Sequence, residues 1–491
     1  MLRRTLLKGL AASAAIGLRA APAAADDVLK MGVSIPLTGA GFNAVGRQLA
    51  GALKLYVQQH GTNVAGRKIE LIVRDDGGVA DNARRIVQEM IVNQKVGLIG
   101  IGITPTSLAI APLVTEAKIP TLVLSSGASV TVTKSPYMVR AGFLQSQQAW
   151  IMAEWAAKNG SKRVVTLVND WAPGIESETS FKTRFLKAGG EIIESIRIPL
   201  ANPDFAPFLQ RIRDLNPDTA FIYFPGTQAS IFAKQFAERG LGNSGIKIIG
   251  PGDLTDDDDL NTMGDQMLGI ITSGSYSAAH DSPLNKAYVA AFEQANGFRP
   301  DFVSVGAYDG LHLIYEALRK TNGNAEGDFL LTAMKGMAWE SPRGPISIDP
   351  ETRDIVQNIY IRKVEKMNGQ LYSMEFATYE AVKDPMKSAA ASRAGAAPSN
   401  RDIVDQPCLA QACGDEEAEG AFLGRMNRRQ RVGIAGVQIV DGEARFCKRR
   451  ATSGQRAGDC MTRGDLVGTR EKNAVQRRRG RAFGCREVGI A

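Results

Sequence analysis

From Leu29 onward, apolar strand segments alternate with segments of helical spacing, and this rhythm restricts the fold more than any other feature of the chain. The strands "LKMGVSIPL", "RKIELIVRDD", "VGLIGI" and "TLVLSS" are separated by "AVGRQLAGALKLYVQQH", "ADNARRIVQEMIVN" and a helix beginning near Pro105, where proline suits a first turn. Parallel strands need a crossover between them, so a helix after each strand predicts an α/β fold with a parallel sheet covered on both faces. The rhythm restarts at "RVVTLVND" and runs through "EIIESIRIPL", "TAFIYFPG" and "IKIIGPG", with "ETSFKTRFLKAGG", "FAPFLQRIRDL" and "QASIFAKQFAERG" as the helices between. A second sheet of the same kind is expected from it. "GIITSGSY" then leads to the helical segments "NKAYVAAFEQAN" and "VGAYDGLHLIYEALRK". A hairpin follows in "PISIDPETRDIVQNIYIRKVEKMNGQLYSMEF", with Asn368-Gly369 as its turn. Two such lobes, with loops at their strand ends, place a ligand cleft between them.

Charge is distributed unevenly along the 491 residues. The net of +8 arises at the ends: residues 1–25 hold four basic groups and no acid, and residues 388–491 hold 19 basic against 12 acidic groups. The body between them is mildly acidic and has no basic stripe, which excludes nucleic acid as a partner. "MLRRTLLKG", the apolar run "LLKGLAASAAIGL" and the small residues of "APAAADD" read as an export signal cleaved after Ala25. Arg3-Arg4 leaves the twin-arginine and the ordinary secretory routes both open. All five cysteines (Cys408, Cys413, Cys447, Cys460 and Cys485) lie beyond Lys387, so the body relies on its own core. The tail 388–491 changes character, with 17 Arg to 2 Lys and neither Trp nor Tyr. It is expected to be disordered, or to be read-through of a frame normally closed near 388; a basic tail for an acidic partner is the alternative.

Enzyme motifs are weak. Gly39-Ala-Gly41-Phe-Asn-Ala44 fits a dinucleotide loop, and Asp75 and Asp76 end the next strand. Yet the acid comes about 35 residues on rather than the roughly 20 that a ribose contact needs, and Pro36 interrupts the approach. An exported Rossmann-type oxidoreductase remains the competing class, but no cofactor is expected. His60, His280 and His312 read as structural, and no zinc helix, phosphate loop or nucleophile elbow occurs. Asp256 to Asp259 are expected to sit against a helix start capped by Thr255.

The small-residue strand ends are more informative. "LIGIGITPTS" and "LVLSSGAS" each run from an apolar strand into glycine and hydroxyls. If those strands are neighbours, N–H groups and hydroxyls at Thr104 to Ser107 and at Ser125 to Ser129 converge on one anion without a buried arginine.

From about Val28 to Lys387 the chain resembles the leucine/isoleucine/valine-binding family, periplasmic substrate-binding proteins of branched-chain amino acid ABC transporters. The resemblance rests on the order of "MGVSIPLTGAG", "ELIVRDDGG", "GLIGIGITPTS", "IPTLVLSSGAS", "NDWAPGIE", "DFAPFLQRIRD" and "GPGDLTDDDDL". It implies a type I periplasmic-binding architecture of two Rossmann-like lobes joined by three crossovers. Lobe 1 would comprise 26–142 and 277–340, and lobe 2 would comprise 143–276 and 341–387, with crossovers near 142–145, 276–279 and 339–344. It also implies a monomeric carrier, not an enzyme, that meets permease subunits in a Gram-negative periplasm. By the same resemblance, Thr104, Thr106, Ser107, Gly127, Ala128 and Ser129 would hold a ligand carboxylate, and Asp253 would face an ammonium. Phe42, Trp171, Tyr223 or Phe224, and Tyr276 would line the pocket. Two ligand classes stay open: branched-chain or related amino acids, and aromatic or other organic acids.

Overall fold

The computed structural model describes residues 28–387 apart from 40 and 201–203, and beyond them only 434–440, 443–448 and 460–461. The expected export signal lies outside the described residues. The first sheet draws on β1 (Val28–Ile35), β2 (Asn63–Val64), β3 (Arg67–Asp75), β4 (Leu98–Ile101), β5 (Thr121–Val123) and β6 (Met138–Arg140), with α1 (Asn43–His60), α2 (Ala80–Val92) and α3 (Thr104–Glu116) as crossovers. Its order is β2-β3-β1-β4-β5-β6, parallel except for the β2–β3 pair.

After α4 (Gln145–Lys158), a second sheet begins with β7 (Arg163–Asn169). It continues through α5 (Ala172–Lys187), β8 (Glu191–Ile198), α6 (Ala206–Leu215), β9 (Thr219–Tyr223), α7 (Thr227–Glu238), β10 (Lys247–Pro251), α8 (Leu260–Met263) and β11 (Ile271–Gly274). The chain returns to the first half for α9 (Pro283–Asn296), α10 (Phe302–Lys320) and α11 (Gly327–Met334). It ends this body with β12 (Ala338–Ser341), β13 (Gly344–Ile348), β14 (Ile355–Met367) and β15 (Gln370–Val382). The second sheet runs β12-β13-β14-β11-β10-β9-β7-β8, parallel from β11 to β8 and antiparallel where β14 joins. The structure is thus α/β, with two separate largely parallel sheets, as the resemblance implies.

Sequence explains most of these elements. On α1, Leu49, Leu53 and Tyr56 recur at helical spacing and pack on Leu311, Ile314, Tyr315 and Leu318 of α10. Helix α10 starts with a capping box: the Asp301 carboxylate accepts the Val303 and Ser304 N–H groups, and Asp301 N–H returns to Ser304 Oγ. Such a cap is worth about 1 kcal/mol. Helix α5 begins six residues before the predicted "ETSFKTRFLKAGG", because Pro173 occupies a first turn, where its missing N–H costs nothing.

The apolar side chains change company along β14. Ile355, with Ile346 and Ile348 of the neighbouring β13, sits in the core of the first half with Leu313 and Tyr276, whereas Ile359 and Ile361 of β14 pack with Ala149, Met152 and Phe221 in the second. The third passage, expected at 339–344, therefore runs through β14 itself, at a register shift between Gln357 and Ile359. Two fully buried ion pairs tie these passages: Arg140–Asp354 and Arg343–Asp309, each at 2.8 Å.

Residues 398–491 form a separate unit. In it β16 (Ile434–Val440), β17 (Glu443–Lys448) and β18 (Cys460–Met461) pair antiparallel, in a tail expected to be without regular structure.

Candidate functional site

The strand ends of the two sheets face a narrow cleft with a water-accessible cavity volume of about 40 Å³. On the first wall, β4 and β5 are direct neighbours, so the loops that follow them are adjacent. Thr104 opens α3, and its Oγ1 lies 2.9 Å from Ser126 Oγ, which in turn lies 2.8 Å from Thr131 Oγ1. Behind this loop the buried Arg140 guanidinium donates to the carbonyls of Ser126 and Ala128. The loop is thus gripped by its carbonyls. Gly127 is required by close approach: a Cβ there would fall 2.9 Å from both Gln145 Cγ and Phe143 Cε2.

Thr104, Ser125 and Gly127 line the cleft, as do Phe42, Trp171, Tyr223 and Asp253. The remaining expected residues lie elsewhere. Thr106 and Ser107 turn their hydroxyls back to the Ile103 carbonyl. Ala128 serves Arg140 through its carbonyl. Phe224 packs against Phe205 and Phe232 inside the second lobe, because neighbouring residues of an extended strand point to opposite faces and Tyr223 takes the cleft side. Tyr276 is buried in the core of the first half. Ser129 is already engaged: its N–H donates to both Glu176 carboxylate oxygens at 3.0 and 2.9 Å, and its Oγ to one at 2.8 Å. A protein carboxylate from α5 thus occupies the amide and hydroxyl expected to hold the ligand. Burial pushes the Glu176 carboxyl up to about 7, with the Asp384 carboxylate adding to the rise and the Ser129 hydrogen bonds and Arg140 opposing it.

On the second wall, Asp253 sits in a tight turn after β10 and accepts a hydrogen bond from Gln145 Nε2 at 2.7 Å. Gly252 N–H donates to Gln148 Oε1 at 2.9 Å. Burial raises the Asp253 carboxyl to about 6 against that hydrogen bond. Asp256 and Asp301 are also raised, by burial and by the carboxylates around them. Thr255 does not cap a helix as expected: its hydroxyl pairs with Thr272, and Asp259 stands at the start of α8. Phe42 and Trp171 meet across the mouth with ring centroids 5.7 Å apart, and Arg47 pairs with Asp258 beside them. Two buried polar atoms of the lining have no partner, Gln145 Oε1 and Trp171 Nε1. Neither was anticipated as a polar contact; Gln145 lies on a helix whose glutamines and alanines give no apolar period.

The dinucleotide reading loses its acid. The Asp75 carboxylate is spent on the N–H groups of Leu37, Thr38 and Gly77 and on the Thr38 hydroxyl, so it closes its own loop. The site therefore offers hydroxyls and a helix start on the first wall, aromatic rings along its sides, carboxyls on the second wall, and the Gln145 amide between the Gly127 loop and Asp253.

Known proteins share this architecture. A family model described as periplasmic binding protein matches residues 28–370. The chain is 40% identical over 373 residues to Leu/Ile/Val-binding protein homolog 6 of Brucella suis biovar 1, covering 74% of this chain and 95% of that protein. It is 58% identical to the ABC transporter solute binding protein of Rhodopseudomonas palustris BisB5 solved with 3,4-dihydroxybenzoic acid, with a TM-score of 0.72 over 74% of this chain and 99% of that one. A second R. palustris solute binding protein, solved with 4-hydroxybenzoate, is 38% identical, with a TM-score of 0.71 over 73% of this chain and 99% of that one.

Proposed function

The chain belongs to the periplasmic binding protein family and is a solute-binding protein of an ABC transporter, and we propose that its solute is a hydroxylated aromatic carboxylate. The observation that carries this reading is the polarity of the cleft. Hydroxyls and the first turn of α3 stand at Thr104, rings of Phe42, Trp171 and Tyr223 form the sides, and the hydrogen-bonded pair Gln145–Asp253 runs from the Gly127 loop to the second wall. In this arrangement the guest carboxylate meets Thr104 and the Gly127 loop, where oriented amides and hydroxyls stabilise negative charge. Its ring lies between the aromatic walls. A ring hydroxyl donates to Asp253 on the second wall. The complexes of related R. palustris proteins with hydroxybenzoic acids support the assignment.

A branched-chain amino acid is the second reading, favoured by the names of the Brucella relatives. It needs Asp253 free to face an ammonium, but Gln145 Nε2 already occupies one of its oxygens. Capture proceeds by closure of the two lobes over the guest, with contacts from both lobes favouring the closed state. The closed form, a monomeric carrier in the periplasm, then delivers the guest to the permease subunits without chemical change.

Titration calorimetry on the purified protein tests the assignment with 4-hydroxybenzoate, 3,4-dihydroxybenzoate, benzoate, leucine and valine. The hydroxylated benzoates should bind most tightly, and benzoate about tenfold more weakly for the loss of one buried hydrogen bond. Binding of leucine and valine alone would replace this reading with the amino-acid one.

A further inference from the structure

The lining of the cleft contains Asp253, Asp256, Asp258, Asp259 and Asp301 and no Lys, Arg or His. An anion entering this space meets like charge, and the nearby cations are committed. Arg47 pairs with Asp258 at the mouth, and Arg140, behind the Ser126–Ala128 loop, is paired with Asp354. Arg362, behind the opposite wall, donates to the Tyr276 carbonyl and to Thr272 Oγ1 at 3.2 Å. Glu176 adds one more carboxyl behind the lining, held by Ser129, two residues from Gly127.

Resting on the reading of the guest as a carboxylate, we infer that its capture is coupled to the uptake of a proton by Glu176. The geometry supports this. Glu176 reaches from α5 to the loop proposed to receive the guest and holds it by the Ser129 N–H and hydroxyl, two residues from Gly127. The groups facing it are Asp384 after β15, Arg140 of β6 and Tyr223 of β9. Charges on the elements packed against α5 are spent elsewhere: Glu154 and Lys158 of α4 pair with one another, Glu154 also with Arg184, Arg197 of β8 with Glu178, Glu194 of β8 with Arg211, and Arg163 of β7 donates to the Asn216 carbonyl. Nothing on those elements supplies a free cation to offset a second negative charge. A proton on Glu176 does, and it leaves a carbonyl oxygen to accept the Ser129 N–H. Its proton affinity in the empty cleft, near neutrality, makes the uptake small in cost.

The test is calorimetry of the wild-type protein with 4-hydroxybenzoate in two buffers of different ionisation enthalpy. Between pH 7 and 8, an uptake of about half a proton or more per guest is expected, vanishing below about pH 5.5 where Glu176 is already protonated. Affinity should be flat below about pH 6 and fall by up to roughly tenfold per pH unit above 7. The Glu176→Gln variant, a neutral stand-in for the protonated side chain, should bind with no uptake and with a flat profile. Tight binding by the wild type with no buffer dependence would overturn the inference and leave the ligand assignment standing; uptake undiminished in Glu176→Gln would overturn it as well. Failure of every aromatic carboxylate to bind would remove the reading underneath. The two-buffer measurement stands on the wild type alone should the variant fold poorly.

Discussion

Each wall of the cleft has a fully buried arginine behind it, and the two are neutralised in different ways. Arg140 grips the first-wall loop by its carbonyls and meets Asp354 at 2.8 Å, with Lys387 on the other side of that carboxylate. Arg362 holds the second wall through the Tyr276 carbonyl and the Thr255 and Thr272 hydroxyls, while Asp257, Glu375, Asp256 and Asp253 act on it through their charge. The first arginine is matched by one contact partner. The second is balanced by a population of acids, two of which, Asp253 and Asp257, are held near 6 and can change their protonation. A direct pair fixes a loop rigidly and leaves a neutral, hydroxyl-lined face. A diffuse balance keeps the opposite face acidic and responsive to pH.

The sharpest break in this contrast is Asp354→Ala, which strands Arg140 in the core. Losing one partner of a buried pair should cost about 3–5 kcal/mol, read as a lower urea midpoint. Arg362→Met should cost less, about 1–3 kcal/mol from lost hydrogen bonds, because the acids around it can take up protons. That penalty should shrink from pH 8 to pH 5.5, whereas the Asp354→Ala penalty should not.

Glu176 gives a test of opposite sign. Its carboxyl titrates higher in the folded chain than in the unfolded one, so the native state holds the extra proton between about 4.5 and 7 and stability falls as pH rises through that window. Glu176→Gln should therefore match the wild type near pH 4 and exceed it by about 1–3 kcal/mol at pH 8, measured by chemical denaturation. The smallest effect belongs to Arg47→Ala. Its side chain is 49% exposed, so losing its pair with Asp258 should change stability by less than about 1 kcal/mol, an effect erased by salt.

The parallel strands and their crossovers were legible because a buried parallel strand is a continuous apolar run and the helices between them keep a regular period. Helix α4 was not: Gln145, Ser146, Gln147 and Gln148 are all buried, yet their polarity hides the element. Its first turn supplies Gln145, so the most useful polar contact of the cleft went unseen with it. Thr104 and Gly127 were legible as strand-end residues. Thr106, Ser107 and Ser129 carry the same chemistry, but it is consumed locally or by Glu176. Glu176 itself, an acid on an amphipathic helix, reads as an ordinary solvated position, and only tertiary placement reveals its partner. Tyr276 and Phe224 show the corresponding limit for aromatics, whose large apolar area is stabilised equally well in a core.

Strand β14 belongs to both halves. Its first residues pair with β13 and pack in one core, its later residues pair with β11 and pack in the other, and β15 runs alongside through the irregularity at Gln357 to Ile359. Gln357 there links Arg343 to Gln147 through its side-chain amide. In the proposed closure of the lobes, this two-stranded ribbon is one of three passages that have to bend together, and it is the one whose strands are hydrogen-bonded to both halves.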